Sequence, residues 1–313
     1  MQLAHLLAKN DRFDLWRYRD FLGEISPDFW VSDQRELLTP LEQKTNKLWI
    51  KREDLHPIGS HKGRSIAYQL SILRSVKAKK LVLSSSGNAA IALMKLNQFF
   101  PAFVFVSSRV DPAREAELLA SEPTYTRCIS TPFPRNFAHY LVNKHGYVDM
   151  RPSQNDDAIV GLRTLGLELA EQLPDLDASY SIYLVTTSGA NTLGMYQAFN
   201  LLLARGLLNS LPKLFPILMP TYKGGTLTSA RRKQLEAAVE HTKGKILEQE
   251  PEKSAIFETS FEGNTAYRAY EKHHSQAEKA VIVFTGKQWP LPTKDVHLKQ
   301  YATINALKAD YLL

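Results

Sequence analysis

Five short apolar runs, each ending in small polar residues, are the feature that most constrains the fold of this 313-residue chain. Each run is rich in Val, Ile, Leu or Phe and has the length of a buried strand. The runs end near Ser84, Ser107, Thr186, Pro220 and Thr285. Helical patterns fill the intervening segments, most clearly at 89–98, 157–172, 192–205 and 229–242. Strands that alternate with helices predict an α/β fold, with mostly parallel sheets flanked by helices.

The polar clusters that end these runs predict where a functional site lies. In open parallel sheets, ligands bind in the crevice beyond the carboxyl ends of the strands. The clusters stand at those ends, so we expect a binding site there. Residues 122–156 carry four prolines and no clear periodicity, and we predict loops for this segment.

Composition narrows the class of protein. Hydrophobic residues make up 44% of the chain and charged residues 23%, as in ordinary globular proteins. The net charge is +7, but the basic residues are scattered and form no stripe with aromatic residues, so we predict no nucleic-acid partner. The single cysteine, Cys128, excludes an intrachain disulfide and any multi-cysteine metal site, and we predict no metal. No apolar run approaches the length of a membrane span, and we expect a cytoplasmic protein without a membrane partner.

The sequence TTSGANTLG, residues 186–194, follows one predicted strand and opens a helix. Free amide groups and the helix dipole make such a turn a potential anion site. The same residue types also form ordinary helix caps, so this turn alone does not establish a site. The sequence LSSSGNAA, residues 83–90, has the same design and the same two interpretations.

A third element is the loop DLHPIGSHKGR, residues 54–64, which places Lys62 where a turn meets a helix. A lysine becomes a nucleophile when burial lowers its pKa, and it can then form an imine with an aldehyde. A solvated lysine in a first helical turn is the alternative. The functional reading rests on the order of the three elements along the chain.

These elements resemble the fold type II (tryptophan-synthase β-like) family of pyridoxal-phosphate enzymes, and most closely its threonine synthases. That family carries a stretch similar to KREDLNPTGSFKDRG, which Lys51–Arg64 resembles. Its SSGN motif is matched by Ser85–Asn88, its phosphate loop by Thr187–Gly194, and its C-terminal TG by Thr285 and Gly286. The likeness runs in the same order over nearly the whole chain.

The resemblance implies pyridoxal 5'-phosphate as cofactor, with Lys62 holding its aldehyde as an imine and moving protons after substrate enters. Asn88 would hydrogen-bond the ring hydroxyl, and Thr285 would face the pyridine nitrogen. The cofactor phosphate would be held by Thr187, Ser188, Gly189, Ala190 and Asn191. The substrate would be bound by Ser85, Ser86, Gly87, Ala89 and His61. For His61, a proton-shuttle role and a simple packing role both stay open.

The resemblance also implies two lobes. A large cofactor-binding domain would comprise residues 1–80 and 163–313, and a small domain, residues 81–162, would close over the substrate. Several residues depart from the family pattern around the site. They are His61, Gly63, Thr187, Ala190, Gln288 and Trp289.

The function implied is that of a lyase of threonine synthase type, which converts O-phosphohomoserine and water to threonine and phosphate. One alternative is β-elimination or β-replacement on serine, threonine or an activated serine, as in threonine dehydratases and cysteine synthases. Another is a cofactor-binding relative without catalysis. The partner would be a small amino-acid substrate, and family analogy suggests a homodimer.

Overall fold

The structure is a computed structural model that describes residues 11–85, 87–121, 125–220, 227–275, 278–293 and 297–311. Its strands are β1 (Leu41–Thr45), β2 (Leu48–Arg52), β3 (Leu81–Ser84), β4 (Ala102–Ser107), β5 (Thr126–Thr131), β6 (Val148–Asp149), β7 (Tyr180–Val185), β8 (Lys213–Leu218), β9 (Leu247–Glu248) and β10 (Lys279–Phe284). Its α-helices are α1 (Lys62–Ser75), α2 (Asn88–Leu96), α3 (Pro112–Ala120), α4 (Pro134–His145), α5 (Asp157–Gln172), α6 (Ala190–Ala204), α7 (Ser229–His241), α8 (Phe261–His273) and α9 (Ile304–Tyr311). Short 3₁₀ helices cover Leu15–Phe21, Pro27–Phe29 and Glu53–Leu55.

The strands form two sheets. The six-stranded sheet has the order β1-β2-β10-β7-β8-β9, and within it only the pair of β1 and β2 is antiparallel. The four-stranded sheet has the order β5-β4-β3-β6 and is entirely parallel. Helices connect the parallel strands and cover the sheets, so the predicted α/β fold with mostly parallel sheets is confirmed.

The central strands are buried along their whole length. Every residue of β7 is buried, and five of the six residues of β10 are buried. Ile282 of β10 lies between Ile50 of β2 and Tyr183 of β7, and all three side chains belong to one apolar cluster. Strands buried on both faces carry continuous apolar runs, which explains why the sequence pattern revealed them.

Close approach of helices α5 and α6 depends on glycine. A Cβ at Gly194 would lie 2.7 Å from the backbone carbon of Leu162, and one at Gly166 would lie 2.8 Å from the Cβ of Ala198. Because neither approach leaves room for a side chain, these positions let the two helices pack directly against each other. This packing fixes the start of α6, which borders the candidate site.

The sequence predicted the main elements but not all of them. The five predicted strands exist, and the predicted helix 157–172 coincides with α5. The prediction of loops for 122–156 is wrong, since this segment contains β5, α4 and β6. The three described prolines of this segment, Pro132, Pro134 and Pro152, do not interrupt these elements. Pro134, for example, occupies the first position of α4, where no amide hydrogen bond is needed.

All strands of the four-stranded sheet come from residues 81–149. The predicted division into domains stays a prediction, and its boundary at residues 162–163 falls inside α5. Among the described residues, no helix is both long enough and apolar enough to span a bilayer.

Candidate active site

A cavity of about 450 Å³ opens between the two sheets at the carboxyl ends of their strands. Strand ends and helix starts from both sheets contribute to its wall, as expected for an open parallel sheet. Nine of the predicted site residues line it: His61, Lys62, Ser85, Asn88, Ala89, Thr187, Ser188, Asn191 and Thr285. Segments far apart in the sequence therefore meet at one place.

The loop before α1 is hydrogen-bonded to the end of β10. The backbone amide and Nδ1 of His61 lie 3.2 and 2.7 Å from the carbonyl oxygen of Thr285, and Ser60 forms a bridge with Gly286. The amide of Lys62 donates to the hydroxyl of Ser60 at 3.3 Å. These bonds fix the first turn of α1, so that Lys62 reaches the cavity from a rigid backbone.

Gly59 is required where it stands. Its φ of +85° lies in the left-handed region, and a Cβ there would lie 2.3 Å from the ring of Trp289. The ring thus packs directly on the turn, and the amide of Lys287 donates to the carbonyl of Gly59 at 2.8 Å. The segment after β10 covers the turn that precedes Lys62.

Behind this loop lies a fully buried network of charges. Arg64 of α1 donates to both oxygens of Glu53, at 2.8 and 2.6 Å, and lies 3.0 Å from Glu168 of α5. Lys51 of β2 contacts Glu168 at 2.6 Å, and Arg35 also pairs with Glu168. The opposite charges hold the pKa of Glu168 well below its usual value despite burial. The network ties β2, α1 and α5 together below Lys62.

His56 occupies the space beside Gly63. A Cβ at Gly63 would lie 2.4 Å from the imidazole carbon Cε1, and the ring contacts Asp33 at 3.4 Å. The ring nitrogen Nδ1 accepts from the amide of Ile58 at 3.1 Å. The departure at Gly63 is therefore explained by packing, because this imidazole fills the volume that a side chain at position 63 would need.

The environment of Lys62 favours the deprotonated amine. Burial lowers its pKa to about 8, and the negative charge of Glu262 opposes that shift. No ion pair engages Lys62 among the described residues. An amine with this pKa is partly deprotonated near neutral pH, as a nucleophile requires.

Two buried polar atoms near Lys62 lack a partner in the described structure. They are Nε2 of His61 and Oδ1 of Asn88. His61 is only 5% exposed, and burial and the charge of Lys62 lower its pKa to about 3. The ring is therefore neutral. Because Nδ1–H donates to the Thr285 carbonyl, Nε2 is left as an acceptor. Buried polar atoms are normally satisfied, so these two atoms indicate a polar ligand.

The loop before α6 has some, but not all, of the features predicted for an anion site. Thr187, Ser188 and Asn191 border the cavity, whereas Ala190 is buried against α5 and α7. The amide of Gly189 is taken by the hydroxyl of Thr186 at 3.0 Å. No hydrogen bond to a described residue occupies the amides at 187, 188, 190 or 191. These amides can bind a phosphate at the helix start.

Side chains in this loop are used to hold its shape. Asn191 donates to the carbonyl of Val185 at 2.9 Å and accepts from the hydroxyl of Thr186 at 2.6 Å. Gly189 has φ of +77°, which a side chain would strain, and Arg231 lies over it at 3.0 Å from a built Cβ. The backbone amides, rather than the engaged Asn191 side chain, are therefore available to an anion.

The loop before α2 brings Ser85 and Ala89 to the cavity, whereas Gly87 is buried and does not line it. A Cβ at Gly87 would lie 2.8 Å from Cδ of Arg114, so this glycine allows the arginine to pack against the loop. The predicted site residue Ser86 lies outside the described residues. The amides of Ser85 and Gly87 donate to the Phe105 carbonyl and the Ser85 hydroxyl, so only the amides at 88 and 89, which have no hydrogen bond to a described residue, can bind a carboxylate at the start of α2.

The structure adds charged residues that the sequence did not single out. Arg114, Arg135, Arg151 and Glu262 line the cavity, together with the segment Pro132–Asn136. Arg151 pairs with Asp149 at 2.5 Å, and Arg114 pairs with Glu262 at 3.1 Å. Recognising β5 would have revealed part of this set, because the polar residues after its end follow the same rule as the other strands.

Comparisons with known proteins place this geometry in a family. A profile described as pyridoxal-phosphate dependent enzyme matches residues 34–217. No curated protein sequence matches the chain. Threonine synthase from Escherichia coli has a similar structure, with a TM-score of 0.72 and 12% identity over 99% of this chain and 90% of that one.

Two further structures share the fold. Maize serine racemase has a TM-score of 0.61 at 16% identity, covering 88% of this chain and 91% of its own. A hydrogen sulfide-producing enzyme from Fusobacterium nucleatum has a TM-score of 0.59 at 16% identity, covering 80% and 95%. At these identities the likeness shows the fold alone.

The cavity suits the cofactor of this family. A lysine amine of lowered pKa, two unpartnered buried polar atoms and a helix start with open amides are the features that an aldehyde-bearing aromatic phosphate requires. The profile covers more than half of the chain and includes Lys62, Asn88 and the loop before α6. The chain therefore belongs to the pyridoxal-phosphate-dependent enzyme family, with the two-sheet architecture of fold type II.

Proposed function

We propose that this enzyme is a lyase of threonine synthase type, which converts O-phosphohomoserine and water to threonine and inorganic phosphate. In this reaction the C–O bond at Cγ breaks as phosphate leaves, and water supplies the hydroxyl group at Cβ. When bound, pyridoxal phosphate supplies an electron sink that stabilises negative charge next to the substrate's α-carbon.

The observation that carries the proposal is that three arginines line the cavity in addition to the residues suited to the cofactor. Arg114, Arg135 and Arg151 line it, and Glu262 is the single acidic residue among its described lining residues. A substrate with a phosphate in addition to its carboxylate needs such charges, whereas serine or threonine does not.

The roles of individual residues follow from their positions. Lys62 would hold the cofactor and, with its lowered pKa, take and return a proton at the substrate's α-carbon. Thr285 would present a neutral hydroxyl to the ring nitrogen, and Asn88 would bond the ring hydroxyl. The start of α2, with Ser85 and Ala89, would bind the substrate carboxylate.

His61 would act as a fixed hydrogen-bond acceptor rather than a proton shuttle. Its pKa of about 3 keeps the imidazole neutral at physiological pH, so it does not alternate between charge states there. Its contact with the Thr285 carbonyl positions the end of β10 against the Lys62 loop.

An absorbance spectrum of the purified protein, recorded before and after addition of O-phosphohomoserine, tests the proposal. We expect a cofactor band that shifts on addition, with release of phosphate and formation of threonine in equal amounts. A band unaffected by this substrate but shifted by serine, threonine or O-acetylserine would favour β-elimination or β-replacement. A band that responds to none of these amino acids would favour a non-catalytic relative.

A further inference from the structure

Glu262 and Arg114 form an ion pair inside the cavity. Glu262 lies in the first turn of α8, and Nη2 of Arg114, on α3, lies 3.1 and 3.4 Å from its two carboxylate oxygens. Both side chains line the cavity that Lys62 enters. The pair is therefore part of the site and is not a surface contact.

The pair connects a helix of the four-stranded sheet to a helix that packs on the six-stranded sheet. Helix α3 connects β4 to β5 of the four-stranded sheet. Helix α8 packs against β7 and β10 of the six-stranded sheet. Arg114 also packs against Gly87 in the loop before α2 and lies 5.6 Å from the ring centre of Phe261. Its guanidinium thus lies between the loop that would bind the substrate carboxylate and the start of α8.

The geometry of this pair leaves it open to competition. A single guanidinium nitrogen faces both carboxylate oxygens, instead of two nitrogens in the stronger parallel arrangement. Both side chains are 11% exposed, so each charge has lost most of its water. A buried pair of imperfect geometry gains little net free energy, and another anion can replace the carboxylate.

Without a partner, the carboxylate of Glu262 would disfavour binding of the proposed substrate. An amino acid that carries a carboxylate and a phosphate is repelled by a further negative charge in a water-poor cavity. Pairing with Arg114 neutralises Glu262 while the cavity is without substrate. Glu262 also acts on Lys62, since its charge opposes the effect of burial on the pKa of that amine.

We propose that Arg114 is a specificity-determining residue that exchanges Glu262 for the second anionic group of the substrate. Glu262 then stays in the cavity lining, where its charge acts on Lys62. The exchange selects substrates with an anionic side-chain group, because only such a group gives Arg114 a new partner. This inference rests on the proposed function for the identity of that group as a phosphate.

Titration of inorganic phosphate into the cofactor-loaded protein by calorimetry tests the exchange. Glu262→Gln removes the competing charge, so we expect phosphate affinity to rise about 10-fold. Arg114→Gln should lower phosphate affinity by about 10-fold or more, and the double variant should resemble Arg114→Gln. Glu252→Gln serves as a matched control, since it releases Arg268 from a 3.1 Å pair outside the cavity and should change nothing.

Unchanged or weaker phosphate binding by Glu262→Gln would overturn the exchange and leave the pair a purely structural contact. If Glu262→Gln does not fold, Glu262→Asp keeps the charge but shortens the reach to Arg114, and we expect a smaller gain of the same sign. An Asp variant that binds phosphate no better than the original protein would count equally against the exchange.

These outcomes are separable from the proposed function because no turnover is measured. If phosphate affinity follows the predicted order among the variants but O-phosphohomoserine is not converted, the exchange at Arg114 is supported and the proposed substrate is rejected. If no cofactor binds, the titration is repeated on the cofactor-free protein. In that case phosphate can also bind to the amides of Thr187–Asn191, and this binding is the same in all variants. An increase in phosphate affinity that is seen only in Glu262→Gln still indicates binding at Arg114.

Discussion

The two walls of the cavity are built in opposite ways. The wall that carries His61, Lys62 and Thr285 rests on bonds between the α1 loop and β10 and on the fully buried charges around Glu168. The opposite rim, Pro132–Asn136, is largely exposed, and Phe133 retains 56% of its accessible surface. Among described residues, Arg135 of this rim forms no ion pair.

This difference separates the two tasks of the site. The lysine must be held in one orientation, and the buried network leaves its loop few alternatives. The rim contacts whatever distinguishes one amino-acid substrate from another, and its exposed side chains can change without disturbing the core. We therefore expect substitutions behind Lys62 to affect cofactor binding and stability, and substitutions at the rim to affect substrate preference.

Lys62→Ala should have the largest effect. Loss of the amine removes both the attachment of the cofactor and the proton acceptor, so we expect turnover to fall by about 10³-fold or more. Activity assays and retention of the cofactor band after dialysis measure this. Compared without cofactor, the variant and the original protein should unfold at about the same denaturant midpoint. An active Lys62→Ala variant would contradict the assignment.

Glu168→Gln tests the buried network. It leaves Lys51, Arg35 and Arg64 with less compensating negative charge, so we expect a loss of about 3–5 kcal/mol in the free energy of unfolding. Urea denaturation measures this loss. Glu236→Gln, in an exposed pair with Arg232, is the matched control and should change stability by less than about 0.5 kcal/mol. Equal effects of the two variants would show that the anchoring wall is no more constrained than the surface.

Gly63→Ala tests the packing of His56. The added Cβ meets the imidazole, so we expect a loss of about 1–3 kcal/mol in the free energy of unfolding. The same change in a His56→Ala background should cost much less, because the contact is gone. Equal costs in the two backgrounds would mean that the ring does not determine why glycine stands at position 63.

Arg135→Ala should have the smallest effect and one confined to substrate. We expect KM for O-phosphohomoserine to rise about 10-fold, with kcat and the unfolding midpoint nearly unchanged. Lys144→Ala, on the same helix but outside the catalytic cavity, is the control and should leave KM within about twofold. A similar rise in both variants would indicate a general charge effect instead of a direct contact.

The sequence revealed the parts of the fold that are buried on both faces. Strands β7 and β10 and helix α5 were predictable because continuous apolar runs and helical periodicity survive without any knowledge of partners. Strand β5 was missed, since Arg127 interrupts its apolar pattern and prolines follow it. Proline positions suggest loops until the start of α4 is known.

The candidate site divides along the same line. Lys62, Asn88 and Thr285 stood in motifs that could be recognised, and the structure brings them to one cavity. Arg114 and Glu262 are 148 residues apart and belong to unremarkable helical patterns. Their meeting depends on how the two sheets are arranged, which no local pattern encodes. The hydrogen bonds of the Asn191 side chain within its own loop likewise follow from the folded structure and not from the sequence pattern.

Gly286 has a mechanical consequence. Its α-carbon, at the end of β10, faces Asn88 at the start of α2 so closely that a Cβ would lie 2.5 Å from the amide nitrogen Nδ2. Asn88 follows β3 of the four-stranded sheet, whereas Thr285 follows β10 of the six-stranded sheet and is hydrogen-bonded to the loop that carries Lys62. The position of an aromatic ring held by all three residues would depend on the spacing of the sheets. The absorbance of the bound cofactor would then change with the distance between the two sheets.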